Sequence, residues 1–204
     1  MRFTYYFWYT LSKLAAKSCF QYEVRNRHYM IEEGSALLAS NHTSYLDPPL
    51  VGICSKRDVY FLARKSLLNS PVMAWLLPRL NVIPVDLLKN DISALKALIR
   101  VVRSGNAAVV FPEGTRSVDG KLQPARPGTG MIIAHTLAPV IPVRIFGAQE
   151  AFPKGGKVHL SPITVVLGPP IYFTKADIGE GGKDAYQRIS QRVMDAIAQI
   201  TLDS

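Results

Sequence analysis

Apolar side chains recur along this chain in two rhythms, and the changes from one to the other mark out its elements. Ser35-Ala36-Leu37-Leu38-Ala39-Ser40 is an apolar run of buried-strand length, after which Asn41 opens a polar turn. Val59 to Ala63, Ala107 to Phe111 and Val140 to Phe146 have the same character, with Pro142 expected to disturb the last of them locally. In Val82-Ile83-Val85, Pro84 points to an edge or a bend, because proline cannot donate to a central ladder. Phe20, Tyr22 and Val24 alternate with more polar positions as an exposed or edge strand would, and Val158 to Leu167 reads as a further strand region closed by Pro169-Pro170. Helical spacing takes over from Asp91 to Arg103, where Ile92, Leu95, Leu98, Ile99 and Val102 make one stripe and Lys96, Arg100 and Arg103 fall mostly away from it. It returns from Asp184 to Ile200 through Tyr186, Ile189, Val193 and Ile197. Another helix follows Arg126-Pro127-Gly128 and leaves His135 at its far end, a core or cap position rather than a catalytic one. Strands separated by helical patterns predict an α/β sandwich, and 204 residues suit one domain, 1–204.

Two apolar stretches do not fit that scheme. Residues 1–19 read as an amphipathic helix in which Phe3, Phe7, Leu11 and Leu14 share a stripe among Tyr and Trp side chains suited to a membrane interface. Lys13 and Lys17 interrupt the roughly 18 apolar residues a spanning helix needs, and no cleavage site marks a secretory signal. Packing of the stripe on the protein's own core is the alternative. Between Ser66 and Pro78 there is no charged residue, and Leu67, Leu68, Val72, Met73, Trp75, Leu76 and Leu77 make either a buried core helix or a surface that receives a lipid chain.

Charge narrows the partners. Lysine and arginine number 24 against 15 acidic residues, a net +9 that favours an anionic partner: nucleic acid, anionic lipid or a phosphorylated substrate. No long Lys/Arg run or recognition helix supports nucleic acid. Cys19 and Cys54 lack CxxC or metal-site spacing and read as two free, partly buried thiols in a reducing compartment.

The chemistry concentrates in two stretches. In ASNHTSYLD, His42 and Asp47 stand five positions apart at the end of an apolar strand. On a continuous helix that spacing is about 500°, so the two share a face only if a strand-to-helix turn separates them. Ser44 and Asp47 fit a capping box that supplies such a turn. Asp47 then holds one ring nitrogen and leaves the other as a proton acceptor; a capped helix with an incidental histidine is the bland alternative. In FPEGTRS, a strand feeds directly into Glu113-Gly114-Thr115-Arg116, where the guanidinium suits phosphate and Gly114 permits close backbone approach. No P-loop, HExxH or GxSxG motif is present.

Together these residues resemble the glycerolipid acyltransferases of the lysophosphatidic acid acyltransferase family. Asn41-His42-Thr43-Ser44-Tyr45-Leu46-Asp47 matches its NHxSxxD block, Phe111 to Ser117 its FPEGTRS block, and Val140-Ile141-Pro142-Val143 resembles its fourth. The resemblance implies a mixed-sheet α/β sandwich and direct acyl transfer from an acyl-CoA or acyl carrier protein thioester to a lysophospholipid, with neither cofactor nor metal. It implies His42 as general base, Asp47 as its orienting carboxylate, and Arg116 with Lys65 on the acceptor phosphate. Gly114, Thr115 and Arg126, which stands where the family often has lysine, complete the acceptor site, with Glu113 bracing Arg116 or accepting hydrogen bonds from the acceptor. The expected location is the cytoplasmic face of an anionic membrane, peripheral or monotopic. One departure stands out: Leu87 occupies the place of a family arginine used for phosphate, with Arg79 or Lys89 as candidate substitutes. That leaves another lysophospholipid or a lyso-aminolipid open as acceptor. A hydrolase using His42 and Asp47 on water is the nearest enzymatic alternative.

Overall fold

The computed structural model describes residues 3–86, 92–153 and 155–203. Its centre is a seven-stranded sheet of β1 (Glu23–Arg25), β2 (Ala36–Ser40), β3 (Val59–Arg64), β4 (Val82–Val85), β5 (Ala107–Val110), β6 (Val140–Phe146) and β7 (Thr164–Leu167), in spatial order β1-β7-β6-β2-β5-β3-β4. Every neighbouring pair is parallel except β6 and β7, so the sheet is mixed, and β2 is its middle strand. The helices are α1 (Phe3–Phe20), α2 (Asp47–Gly52), α3 (Pro71–Leu76), α4 (Ile92–Arg103), α5 (Pro127–Thr136), α6 (Ala148–Ala151), α7 (Lys175–Ile178) and α8 (Gly182–Gln199).

The period of two along the strands builds both layers of the sandwich. In β2, Ala36 and Leu38 join one buried cluster with Tyr5, Ala16, Leu50 and Val51 from α1 and α2. Leu37 and Ala39 join the other, with Leu98, Ile133, Val193 and Ile197 from α4, α5 and α8. A strand buried on both faces needs apolar residues at every position, which is why β2 and β5 read as continuous runs rather than alternations. β1 and β4 lie at the two edges, as the alternation around Val24 and Pro84 indicated, although Phe20 closes α1 and Tyr22 precedes the strand.

Two expectations change and one open choice is decided. β6 runs unbroken through Pro142, whose carbonyl accepts from Gly168 N (2.8 Å) just beyond the end of β7, so the missing N–H falls where the ladder has stopped. The strand region from Val158 shrinks to Thr164–Leu167: β6 ends at Phe146, Gly147 turns the chain at φ 81°, and the residues before Thr164 have no strand to pair with. Val158 and Leu160 are exposed accordingly. The stretch from Ser66 to Pro78 is not a core helix, since Leu67, Val72 and Trp75 are 45%, 65% and 55% exposed on and beside α3.

The N-terminal helix divides its faces. Tyr5 and Ala16 are buried, and the Tyr5 hydroxyl accepts from Val59 N at 3.2 Å, while Phe3, Phe7, Leu11 and Leu14 are all exposed. Among the described residues no helix is long and apolar enough to cross a membrane. Both cysteines are free; Cys54 is buried, its thiol pushed up to about 12 by that burial, but Cys19 is exposed rather than partly buried.

Candidate active site

Parallel pairing of β2 with β5 places Ala39 beside Val110. Each strand then ends within one residue of the same level, and the two polar stretches leave the sheet side by side at its carboxyl edge. Open α/β sheets commonly bind ligands there. Asn41 secures the exit of β2: its side chain donates to Ile145 O (3.1 Å) and accepts from Ile145 N (2.8 Å), continuing the ladder to β6 after the main chain has left it.

His42 follows in the turn and Asp47 opens α2. Their side chains meet at 2.8 Å between Nδ1 and Oδ2, with Asp47 wholly buried and the imidazole 17% exposed. The same Oδ2 accepts from Thr43 N and Ser44 N, both at 2.7 Å. Three donors on one oxygen fix the carboxylate and make Nδ1 the protonated nitrogen, so Nε2 keeps the lone pair. The expected capping box is only half present. Asp47 reaches back, but the Ser44 hydroxyl donates to Phe152 O (2.7 Å) and accepts from Leu46 N (3.1 Å), and helix α2 starts at Asp47 with Leu46 as its N-cap. Pro48 and Pro49 explain the later start: lacking N–H groups, they belong in the first turn, where none is needed.

The loop after β5 grips His42 from three directions. Its imidazole stacks on Phe111, ring centroids 4.1 Å apart and planes at 19°. Its N–H donates to Glu113 Oε1 (2.8 Å), and its carbonyl accepts from Ser117 N (2.7 Å). Glu113 therefore does not brace Arg116. It is buried, and its second oxygen accepts from Gln123 N at 3.0 Å, tying both arms of the loop to the histidine. Burial raises the Glu113 carboxyl from 4.5 to about 7, against the lowering effect of those two hydrogen bonds.

The Arg116 guanidinium instead sits over Tyr45, its carbon 3.6 Å from the ring centroid. Gly114 sits at φ 68°, where an added Cβ would come within 2.8 Å of Arg126 Cδ, so the glycine provides both the turn and the room for Arg126 to cross it. Arg126 is the exposed N-cap of α5, its N–H donating to Pro112 O at 2.8 Å. Thr115 lies between Gly114 and Arg116, half-buried. Lys65 opens the turn Lys65–Asn69 after β3, at the same end of the sheet and exposed, and among the described residues no hydrogen bond or ion pair joins it to His42 or Arg116. Arg79 is spent on Trp75, stacking 4.3 Å over its ring and donating to its carbonyl. Leu87 and Lys89 lie outside the described residues. His135 is exposed on α5 with Nδ1 on Met131 O (2.8 Å), away from the His42 turn.

Reasoning on sequence missed what Asn41, Phe111 and Ser117 do. All three lie inside the matched motifs, but their partners, Ile145 and His42, are remote in the chain. Among the described residues no cluster of three or more His, Cys, Asp or Glu is placed to hold a metal.

A family model described as Acyltransferase matches residues 21–146. The 1-acyl-sn-glycerol-3-phosphate acyltransferase BAT2, chloroplastic, of Brassica napus is 33% identical over 144 residues, 68% of this chain and 41% of its own length. The 1-acyl-sn-glycerol-3-phosphate acyltransferase of Bacillus subtilis is 24% identical over 154 residues, 74% of this chain and 73% of its own. The chain thus spans less than half of the chloroplast relative and about three-quarters of the bacterial one. In fold it is similar to the crystal structure of the 1-acyl-sn-glycerophosphate (LPA) acyltransferase PlsC from Thermotoga maritima, with a TM-score of 0.77 and 23% identity over 97% of this chain and 80% of that one.

Proposed function

This chain belongs to the acyltransferase family, and on that premise we propose that it moves a fatty acyl group from a thioester to the free hydroxyl of a lysophospholipid, lysophosphatidic acid foremost, to give phosphatidic acid. The observation that carries the reading is the His42–Asp47 pair at 2.8 Å, with one ring nitrogen held and the other left basic at the carboxyl edge of the sheet. Nε2 takes the hydroxyl proton as the oxygen attacks the thioester carbonyl, and Asp47 stabilises the imidazolium that forms. The tetrahedral adduct collapses with loss of the thiolate, which recovers the proton from His42 and leaves as a thiol. Proton and acyl group are both accounted for without a covalent acyl-enzyme. Arg116 offers its planar set of donors to the acceptor phosphate, and Arg126, packed over Gly114, is a second cation for it.

The donor is an acyl-CoA or an acylated acyl carrier protein, and the working place is an anionic membrane surface on its cytoplasmic side. The exposed stripe of α1 and the exposed Leu67, Val72 and Trp75 support that placement, with Lys13, Lys17 and Arg79 supplying positive charge close by. A panel of lysolipid acceptors, offered with acyl-CoA and with acylated carrier protein and read by product mass, tests the reading. Phosphatidic acid as the main product supports it. Thioester loss that is indifferent to acceptor would make the enzyme a hydrolase, and preference for a lyso-aminolipid would keep the transferase reading but overturn lysophosphatidic acid as the acceptor.

A further inference from the structure

Arg116 carries the acceptor phosphate in the reading above, yet among the described residues nothing polar holds it. Among the described residues its guanidinium makes no hydrogen bond or ion pair, although Glu113 lies three residues away with both oxygens engaged elsewhere. Its guanidinium carbon lies over the face of Tyr45, 3.6 Å from the ring centroid. That ring is itself held in place. Phe152 lies 5.1 Å away between centroids at a 37° tilt, and the preceding residue, Ser44, is bridged to Pro153 and donates to Phe152 O. Tyr45 nevertheless stays 46% exposed, so the stack stands at the surface of the site rather than in the core.

A guanidinium lying on an aromatic face has its plane set by the ring while its N–H groups point outward along its edge, where a phosphate is bound. Pairing it with a carboxylate would also hold it, but would consume the same donors and cancel the charge. We propose that Tyr45 is the positioning residue for Arg116, presenting the guanidinium edge-on to the phosphate of the acceptor without occupying any of its donors. The inference rests on the assignment of Arg116 to that phosphate. It also gives a role to a position between His42 and Asp47 that the proton-transfer step does not use.

Initial rates with lysophosphatidic acid as varied acceptor and a saturating acyl thioester donor test it in Tyr45→Leu, Tyr45→Phe, Arg116→Ala and the double variant Tyr45→Leu/Arg116→Ala. Tyr45→Leu is expected to raise acceptor KM roughly twofold to fivefold with kcat essentially unchanged, the scale of an exposed cation–π contact. Tyr45→Phe keeps the aromatic face and retains the low KM. The double variant should be no worse than Arg116→Ala alone, because the ring acts only through the arginine. Additive losses, equal damage from Phe and Leu, or a fall in kcat with KM unmoved would each overturn the proposal while leaving Arg116 in its role. An unchanged KM in Arg116→Ala would remove the phosphate assignment, and the role of Tyr45 with it.

Discussion

Replacing Glu113 by Gln separates what this carboxylate costs the fold from what it does for the site. Burial holds the carboxyl at about 7 in the folded protein against 4.5 ordinarily. The folded state therefore keeps a proton that the unfolded chain gives up, and stability declines as pH rises from about 4.5 to 7. A displacement of that size is about 3 kcal/mol, at ~1.4 kcal/mol per pH unit. Gln is nearly isosteric with the protonated acid and presents the same one acceptor and one donor group, so wild type and Glu113→Gln should melt together near pH 4.5. By pH 8 the variant should be the more stable, by roughly 6–12 °C in Tm, since 1 kcal/mol moves the Tm of a domain this size by about 2–4 °C. Activity should move the other way. The ionised carboxylate accepts from both His42 N and Gln123 N, whereas the amide accepts from one and confronts the other with a donor, so transfer at pH 8 should fall about tenfold, equivalent to ~1.4 kcal/mol. Thermal melts of both proteins across pH 4.5–8, with initial rates at pH 8, are the measurements. A Tm difference independent of pH, or a variant less stable at pH 8 than at pH 4.5 relative to wild type, would refute the argument.

His42→Ala should lower transfer by about 10²–10⁴-fold while preserving far-UV circular dichroism, because the imidazole adds a stacked face on Phe111 but no core volume; near-normal rates would take the histidine out of the mechanism. In Asp47→Asn the amide oxygen can still take the three donors, but the NH₂ group lands where Oδ1 is buried without a partner, so a stability loss of ~1–3 kcal/mol accompanies the rate loss. A rate per folded molecule equal to wild type would reduce Asp47 to a helix-start residue. Ser substitutions at Phe3, Phe7 and Trp75, which spare buried Tyr5, should weaken sedimentation with anionic liposomes and leave Tm nearly unchanged. Binding that survives them would move the membrane contact elsewhere.

Most of the strands and helices, and the means for His42 to meet Asp47, were legible in the sequence alone, because both depend on neighbours. A strand buried on two faces is apolar on both, as β5 is and as β2 is up to Ser40, and a helix needs its stripe every three or four residues, as α4 and α8 have. A carboxylate five residues after a histidine can reach it once a turn intervenes, and Pro48-Pro49 sets where that turn must end. Only the tertiary structure decided matters of long range. The register of Ala39 with Val110 makes one site of two motifs 71 residues apart at His42 and Glu113, and it turns Glu113 toward a backbone N–H instead of toward Arg116. The stretch around α3 shows the same limit: its composition allowed core or surface equally, and its exposure followed from its place beyond β3, next to the edge strand β4. Apolar periodicity records which face of an element is to be covered, whereas the identity of what covers it belongs to residues far along the chain, and no local pattern encodes that.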